Sequence, residues 1–226
     1  MAMSRICVFD LDETLLDMSS LDGQFARSFA TSDQVRGAWL AQLRQSAFVT
    51  TILGRYAPFR AVAEAALEMA AAREDVVLTR EERHAILGQL QNLAPLADVR
   101  GALDRLRDAG IRLAILANAE EDLAKAQLAH THLREFFDQV ISADAARRLK
   151  PAPETYRLAA ERLGVPIGEI RLVSAHAWDV AGALDAGATA AFVLRPGLPF
   201  DPLVDKPDIV GEGLTDVVEH IVAAGA

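Results

Sequence analysis

One cysteine in 226 residues, Cys7, leaves no partner for a disulfide and no set of thiolates for a metal cluster. It lies inside the apolar run Ile6-Cys7-Val8-Phe9, where it reads as core filler, and that suits a reducing compartment. Positive charge is also scarce: 23 Lys and Arg stand against 32 Asp and Glu, a formal net charge of −9. Such a balance excludes a nucleic-acid-binding surface, which needs a basic face against phosphate. For an anionic ligand, attraction must then come from local Arg, Lys and backbone N–H groups instead of long-range steering. No apolar run approaches membrane-spanning length, residues 1–5 lack the long apolar core of a signal peptide, and there is no internal repeat or low-complexity tract. A cytoplasmic location, with neither membrane nor nucleic acid as partner, is expected. What is present, 51% hydrophobic and 24% charged residues, fits a globular protein long enough for one well-buried domain plus a modest insertion.

The apolar run 6–9, bounded by the polar cluster Asp10-Leu11-Asp12-Glu13-Thr14, reads as a buried strand ending in a loop. The pattern then turns helical. Apolar residues at spacings of three and four predict helices over 34–53, 59–72 and 79–90, the last opened by a capping box of Thr79 and Glu82. No strand is evident between about Leu16 and Pro95, so 16–95 reads as a helical insertion directly after the first strand. From Asp98 onward strands (112–116, 139–141, 170–173, 189–193) alternate with helices (99–109, 120–128, 153–163, 178–186, and finally 215–224). Gly110, Gly164 and Gly187 stop three of those helices. Segment 195–207, with Pro196, Gly197, Pro199 and Pro202, reads as a long polar connection. Alternation of this kind implies an α/β fold, a doubly wound parallel sheet with right-handed crossovers. The core domain is expected over 1–15 and 96–226, and a helical cap domain over 16–95.

Four polar segments fall at the carboxyl ends of four predicted strands, where ligands of open α/β sheets collect: 10–14, Ala117-Asn118-Ala119, Lys150-Pro151, and Ser174-Ala175-His176-Ala177-Trp178-Asp179. Asp10 can act as a nucleophile and Lys150 can hold it ionised. Asn118 and the helix N-terminus after it offer donors to an oxyanion. Asp179 can fix the lysine or a water. Asp12, a second acid beside Asp10, either has a raised pKa and donates a proton or bonds backbone N–H groups in its own turn. His176 either activates a water or makes a helix-terminal hydrogen bond to a backbone group. Trp39, Phe59 and Trp178 either wall an apolar pocket or belong to the core. The remaining histidines, His84, His130, His132 and His220, fit surface roles, and His130 with His132 has too few companions for a zinc site.

In this order and composition the motifs resemble the haloacid dehalogenase superfamily over nearly the whole chain, with 16–95 in the place of that family's helical cap. The resemblance divides between branches. In its phosphatases the last motif supplies a Mg²⁺-binding Asp and the second a hydroxyl, whereas Ala175 and Ala117 stand here; only Asp12, as general acid, matches. The type II 2-haloacid dehalogenases carry Ser-x-Asn-x-Trp-Asp, close to Ser174 through Asp179, and runs 53–59, 191–197 and 201–203 and Tyr156 also look like that branch. The chain departs from it at Asp12 (an aromatic residue there), Leu40 (an Arg, with Arg44 one turn on here), Ala117 (Ser) and His176 (Asn). The resemblance implies a hydrolase in which Asp10 displaces halide from a small 2-halo carboxylic acid through an ester intermediate, with no cofactor and no metal. Thr14, Asn118 and Ser174 would hold the substrate carboxylate or the nucleophile, Lys150 would neutralise charge, and Asp179 with His176 would position water. Arg44 would cradle substrate from the cap, with Tyr156, Trp39 and Phe59 completing the pocket, and a homodimer is possible. Two alternatives remain open: a Mg²⁺-dependent phosphatase of a small phosphomonoester, and a catalytically weak member that binds a small acid or a protein partner.

Overall fold

A strand whose residues are all buried needs cover on both faces, and the first strand, β1 (Ile6–Phe9), is of that kind. In the computed structural model, which describes residues 6–29 and 32–225, it is the centre of the sheet. The expectation for residues 1–5 lies outside the described residues. The other strands are β2 (Leu16–Asp17), β3 (Ala94–Pro95), β4 (Arg112–Ala117), β5 (Gln139–Ser142), β6 (Ile170–Ser174), β7 (Thr189–Val193) and β8 (Ile209–Gly211). Six of them form a sheet in the order β5-β4-β1-β6-β7-β8, and every pairing in it is parallel. β1 is bonded to β4 on one side (Phe9 beside Ile115) and to β6 on the other (Phe9 beside Val173). The chain works outward from β1 through β4 to β5 and then returns to the opposite side at β6. The loops after β1 and β6 therefore part across a topological switch point, where such folds open a crevice.

The helices are α1 (Asp22–Ser28), α2 (Ser32–Ile52), α3 (Phe59–Arg73), α4 (Arg80–Gly88), α5 (Val99–Asp108), α6 (Glu121–His130), α7 (Pro153–Leu163), α8 (Ala177–Ala186) and α9 (Leu214–Ala223). α4 opens on the expected capping box, with Thr79 Oγ1 accepting from Glu82 N at 3.2 Å and Glu82 Oε2 from Thr79 N at 2.8 Å. α7 and α8 end on Gly164 and Gly187, whose φ angles of 71° and 97° suit a residue without Cβ. Alternate residues of β1 feed two apolar layers. Cys7 and Phe9 pack with α5, α9 and the helical insertion, while Ile6 and Val8 pack with α7 and α8. Burial pushes the Cys7 thiol up to about 12, as expected of core filler.

The expectation of no strand between Leu16 and Pro95 needs correction. β2 and β3 pair antiparallel, Leu16 with Pro95 and Asp17 with Ala94, across the two ends of the insertion. Two residues are too few to show an alternation, so this clasp left no pattern in the sequence. The same brevity hid β8, and α1 was also unforeseen. Among the described residues no helix is long and apolar enough to cross a membrane.

Candidate active site

β1 hands the chain to Asp10, whose N–H still bonds Val173 O of β6 at 3.1 Å, so the carboxylate leaves the sheet edge in a fixed direction. It is only 6% exposed. Its Oδ1 lies 2.7 Å from Lys150 Nζ and its Oδ2 accepts from Thr14 Oγ1 at 2.8 Å. Thr14 Oγ1 in turn accepts from Ala175 N at 3.0 Å, which ties the loop after β1 to the loop after β6. Lys150, fully buried, also bonds Asp179 Oδ2 at 2.8 Å. Asp179 completes its shell by accepting from the Tyr156 hydroxyl of α7 through Oδ1 at 2.5 Å. The lysine backbone is held as well, since Asn118 Oδ1, just past β4, accepts from Lys150 N at 2.7 Å.

One ammonium between two buried carboxylates decides the protonation states. Burial alone would raise Asp10, but the Lys150 charge and hydrogen bond outweigh it and hold the carboxyl below its usual range, so it is ionised. Burial likewise opposes the charged lysine, and the two carboxylates reverse that and raise its pKa. Asp179 shifts up, through burial first, offset by Lys150, with the Asp10 charge adding to the rise. Burial and then the Asp179 charge push Tyr156 well up, so its hydroxyl stays a donor. Asp12 is half-buried and accepts from Gln127 Nε2 at 3.3 Å. Burial and the charges of Asp10 and Glu13 raise it to about 7.

Above the carboxylate lies a cavity of about 60 Å³. Asp10, Asp12, Asn118 and His176 line it from the core, and Leu40, Arg44 and Phe59 from the insertion. Ligand pockets for drug-sized molecules run to about 300–1,000 Å³, so this one admits only a small guest. A roomier cavity, about 440 Å³, opens between α3, α4 and α6, but it contains none of the groups that surround Asp10. Of these two, the small cavity is the one that the Asp10 carboxylate faces.

Several expected positions take other places. Trp39 is fully buried inside the insertion, with Nε1 donating to Ala63 O at 3.0 Å and its ring against Phe25, so it is core and not pocket wall. Tyr156 and Ser174 do not reach the cavity lining. Tyr156 sits behind Asp179, and Ser174 Oγ accepts from His176 N at 3.1 Å. Asp179 has no exposed surface, and its two oxygens accept from Lys150 Nζ and the Tyr156 hydroxyl. His176 Nε2 lies 3.2 Å from Asp12 O, and since a carbonyl only accepts, the ring is the donor of that contact when Nε2 carries a proton. Trp178 stacks on that ring with centroids 5.1 Å apart.

Two residues were not foreseen. Glu13 has φ of 61° and places its carboxylate 2.7 Å from Arg44 of α2. Nothing in the five-residue motif marks it. Gly182 on α8 is the other: a Cβ there would meet Pro151 Cβ, Pro151 O and the Tyr156 hydroxyl, each at 2.7 Å. A glycine in a helix interior goes against propensity and was the available signal. Among the described residues no group of three or more His, Cys, Asp or Glu is arranged to hold a metal ion.

Comparison with known proteins agrees with this geometry. Residues 5–187 match the family model of haloacid dehalogenase-like hydrolases. The chain is 32% identical to (S)-2-haloacid dehalogenase 2 of Pseudomonas sp. (strain CBS-3), covering 98% of this chain and 97% of that one. It is 30% identical to (S)-2-haloacid dehalogenase of Pseudomonas sp. (strain YL), over 93% and 91% of the two chains. Among solved structures, the L-2-haloacid dehalogenase from Xanthobacter autotrophicus with chloropropionic acid covalently bound superposes with a TM-score of 0.91 at 26% identity, over 97% of this chain and 99% of that one. With the family model spanning most of its length and relatives matched end to end, the chain belongs to the haloacid dehalogenase-like hydrolases.

Proposed function

We propose that the chain is a cofactor-free hydrolase that releases halide from a small 2-halo carboxylic acid. The observation that carries the reading is the buried Lys150 ammonium shared by Asp10 and Asp179, which leaves Asp10 ionised, desolvated and facing a small cavity. A desolvated carboxylate is a strong nucleophile toward carbon. Asp10 attacks the carbon that bears the halogen, the C–halogen bond breaks, and halide departs with the electron pair. The resulting ester is opened by water at the Asp10 carboxyl carbon, with Lys150 beside the oxygen that gathers negative charge. Asp12, raised to about 7, is the group suited to take the proton of that water. Thr14 holds the nucleophile, Asn118 holds the Lys150 loop, and Arg44 and Phe59 close the cavity from a cap domain spanning 16–95 over a core of 1–15 and 96–226. His176 orients the loop of Asp12 through its carbonyl. The relatives' names, which specify 2-haloacids, and the small cavity support this substrate class. A cytoplasmic location fits the lone buried thiol. A homodimer through the cap is supported by Val49, Ile52 and Leu53, exposed apolar residues at the end of α2.

The test offers purified protein 2-chloropropionate and, separately, a generic phosphomonoester, each with and without EDTA. Halide release that EDTA leaves unchanged is the expected result. EDTA-sensitive phosphate release would instead favour the magnesium phosphatase, for which Asp12 is the matching residue. Silence in both assays would point to a binding protein.

A further inference from the structure

The cavity offers an incoming carboxylate little free positive charge. Lys150 is completely buried and engaged by Asp10 and Asp179. Among the described residues, the only arginine or lysine on the cavity lining is Arg44, and its guanidinium already lies 2.7 Å from Glu13 Oε2, with 27% and 19% of the two side chains exposed. Glu13 lines the same cavity and also comes within 3.6 Å of His176 Nε2. Its backbone is unusual too. At φ of 61° it occupies the left-handed region that favours glycine, in a turn closed by Glu13 N donating to Leu16 O at 2.9 Å. A strained position that delivers a carboxylate to the one arginine lining this cavity among the described residues calls for a functional reading.

Resting on the haloacid reading above, we propose that Glu13 is a specificity-determining residue that occupies the substrate-carboxylate subsite in the free protein. The substrate's own carboxylate binds by taking the Arg44 guanidinium from it. Glu13 then weakens the binding of every monoanionic acid, and sets how far the site prefers an acid over its neutral amide. The other charged or titratable groups facing this pair are Asp10, Asp12 and His176. None of them supplies a second arginine or lysine, so the competition is for one cation.

Glu13→Gln keeps the size and the acceptor oxygen but removes the charge. The dissociation constants of propionate and propionamide, unreactive shape analogues of the substrate, are measured by calorimetry on both proteins. Glu13→Gln is expected to bind propionate about fivefold more tightly, the scale of a partly exposed ion pair, and propionamide within twofold of the parent. The Michaelis constant for 2-chloropropionate is expected to fall in parallel. Equal or weaker propionate binding, an equal gain for propionamide, or no detectable propionate binding to either protein would overturn the proposal. Glu13→Gly, which suits the backbone angle, gives the same readout should the glutamine variant fail to fold. Halide release by the parent protein judges the dehalogenase reading separately: its absence alongside tightened propionate binding would sink that reading and leave this subsite intact.

Discussion

Lys150 carries the charge balance of the site almost alone. With no exposed surface of its own, it is the partner of two carboxylates that have little or none. Removing one member of a buried ion pair costs roughly 3–5 kcal/mol, because the remaining charge stays desolvated. Lys150→Met is therefore expected to lower the melting temperature by about 10 °C, and to abolish halide release, since Asp10 would then take up a proton. Adding Asp179→Asn to it removes one stranded charge and should recover part of the lost stability while halide release stays absent. Recovery of activity in the double variant would show that the ammonium is not needed for the chemistry. Asp12 gives a second residue-scale outcome. Its folded pKa, about 7, lies above the ordinary aspartate value of 3.8, so the folded state holds the proton more tightly than the unfolded chain does. The stability this contributes is complete below about pH 4 and is lost as pH rises through 7. Asp12→Asn, which cannot ionise, should gain a few degrees in melting temperature relative to the parent between pH 5 and pH 8. A difference that does not change with pH would mean that Asp12 titrates normally.

Elements were legible where their period repeats often enough to be counted. α3 carries Val62, Ala63, Ala66, Leu67, Ala70 and Ala71 inward, a spacing that only a helix explains. β1 is apolar throughout and β6 is buried throughout, with an apolar run broken only by Arg171 before Ser174, because helices cover both faces. The convergence of Asp10, Asn118, Lys150 and Asp179 was legible for a related reason: Asp10 and Asn118 directly follow β1 and β4, Asp179 lies in the first turn of the helix after β6 and Lys150 in the connection after β5, and parallel strands align their carboxyl ends. Contacts between the insertion and the core were not. Glu13 with Arg44 joins positions 31 residues apart through side chains that carry no pattern. Gly182 was only faintly marked, as a glycine inside a helical pattern. α8 reaches the Lys150-Pro151 loop and Tyr156 of α7 only because that position has no side chain. In an ordinary helix interior Gly→Ala gains up to about 1 kcal/mol. Here the added Cβ would press on backbone and ring atoms at 2.7 Å, so Gly182→Ala is expected to destabilise by about 1–3 kcal/mol and to lower the halide-release rate by displacing Lys150 and Tyr156 together. Chemical denaturation and the assay on the same sample decide it; a stabilised, fully active variant would mean that α8 can shift freely.

At the scale of the molecule, the end of α2 links the outer surface to the catalytic loop. Val49, Ile52 and Leu53 are 47%, 81% and 60% exposed, and between them Thr51 donates from Oγ1 to Leu149 O at 3.3 Å and accepts from Arg148 Nη1 through its carbonyl at 3.2 Å. Leu149 is buried against Ala47 and Val62 of the insertion, and the next residue is Lys150. Covering the three apolar residues with a second copy would press α2 onto the loop that carries the ammonium, so association and catalysis are expected to be coupled. Single exposed apolar side chains are ordinary on protein surfaces, but three within five positions, backed by this linkage, make a patch worth testing as a contact between two copies of the chain. Sedimentation at micromolar concentration should give twice the 24.4 kDa chain mass for the parent and one chain mass for Ile52→Glu combined with Leu53→Glu. If the linkage holds, the monomeric variant also loses several-fold in halide release and melts below the parent at the same concentration. A parent that sediments as a monomer at every concentration, or a monomeric variant with undiminished activity, would confine the surface to solvent and leave the Lys150 loop supported by its own chain.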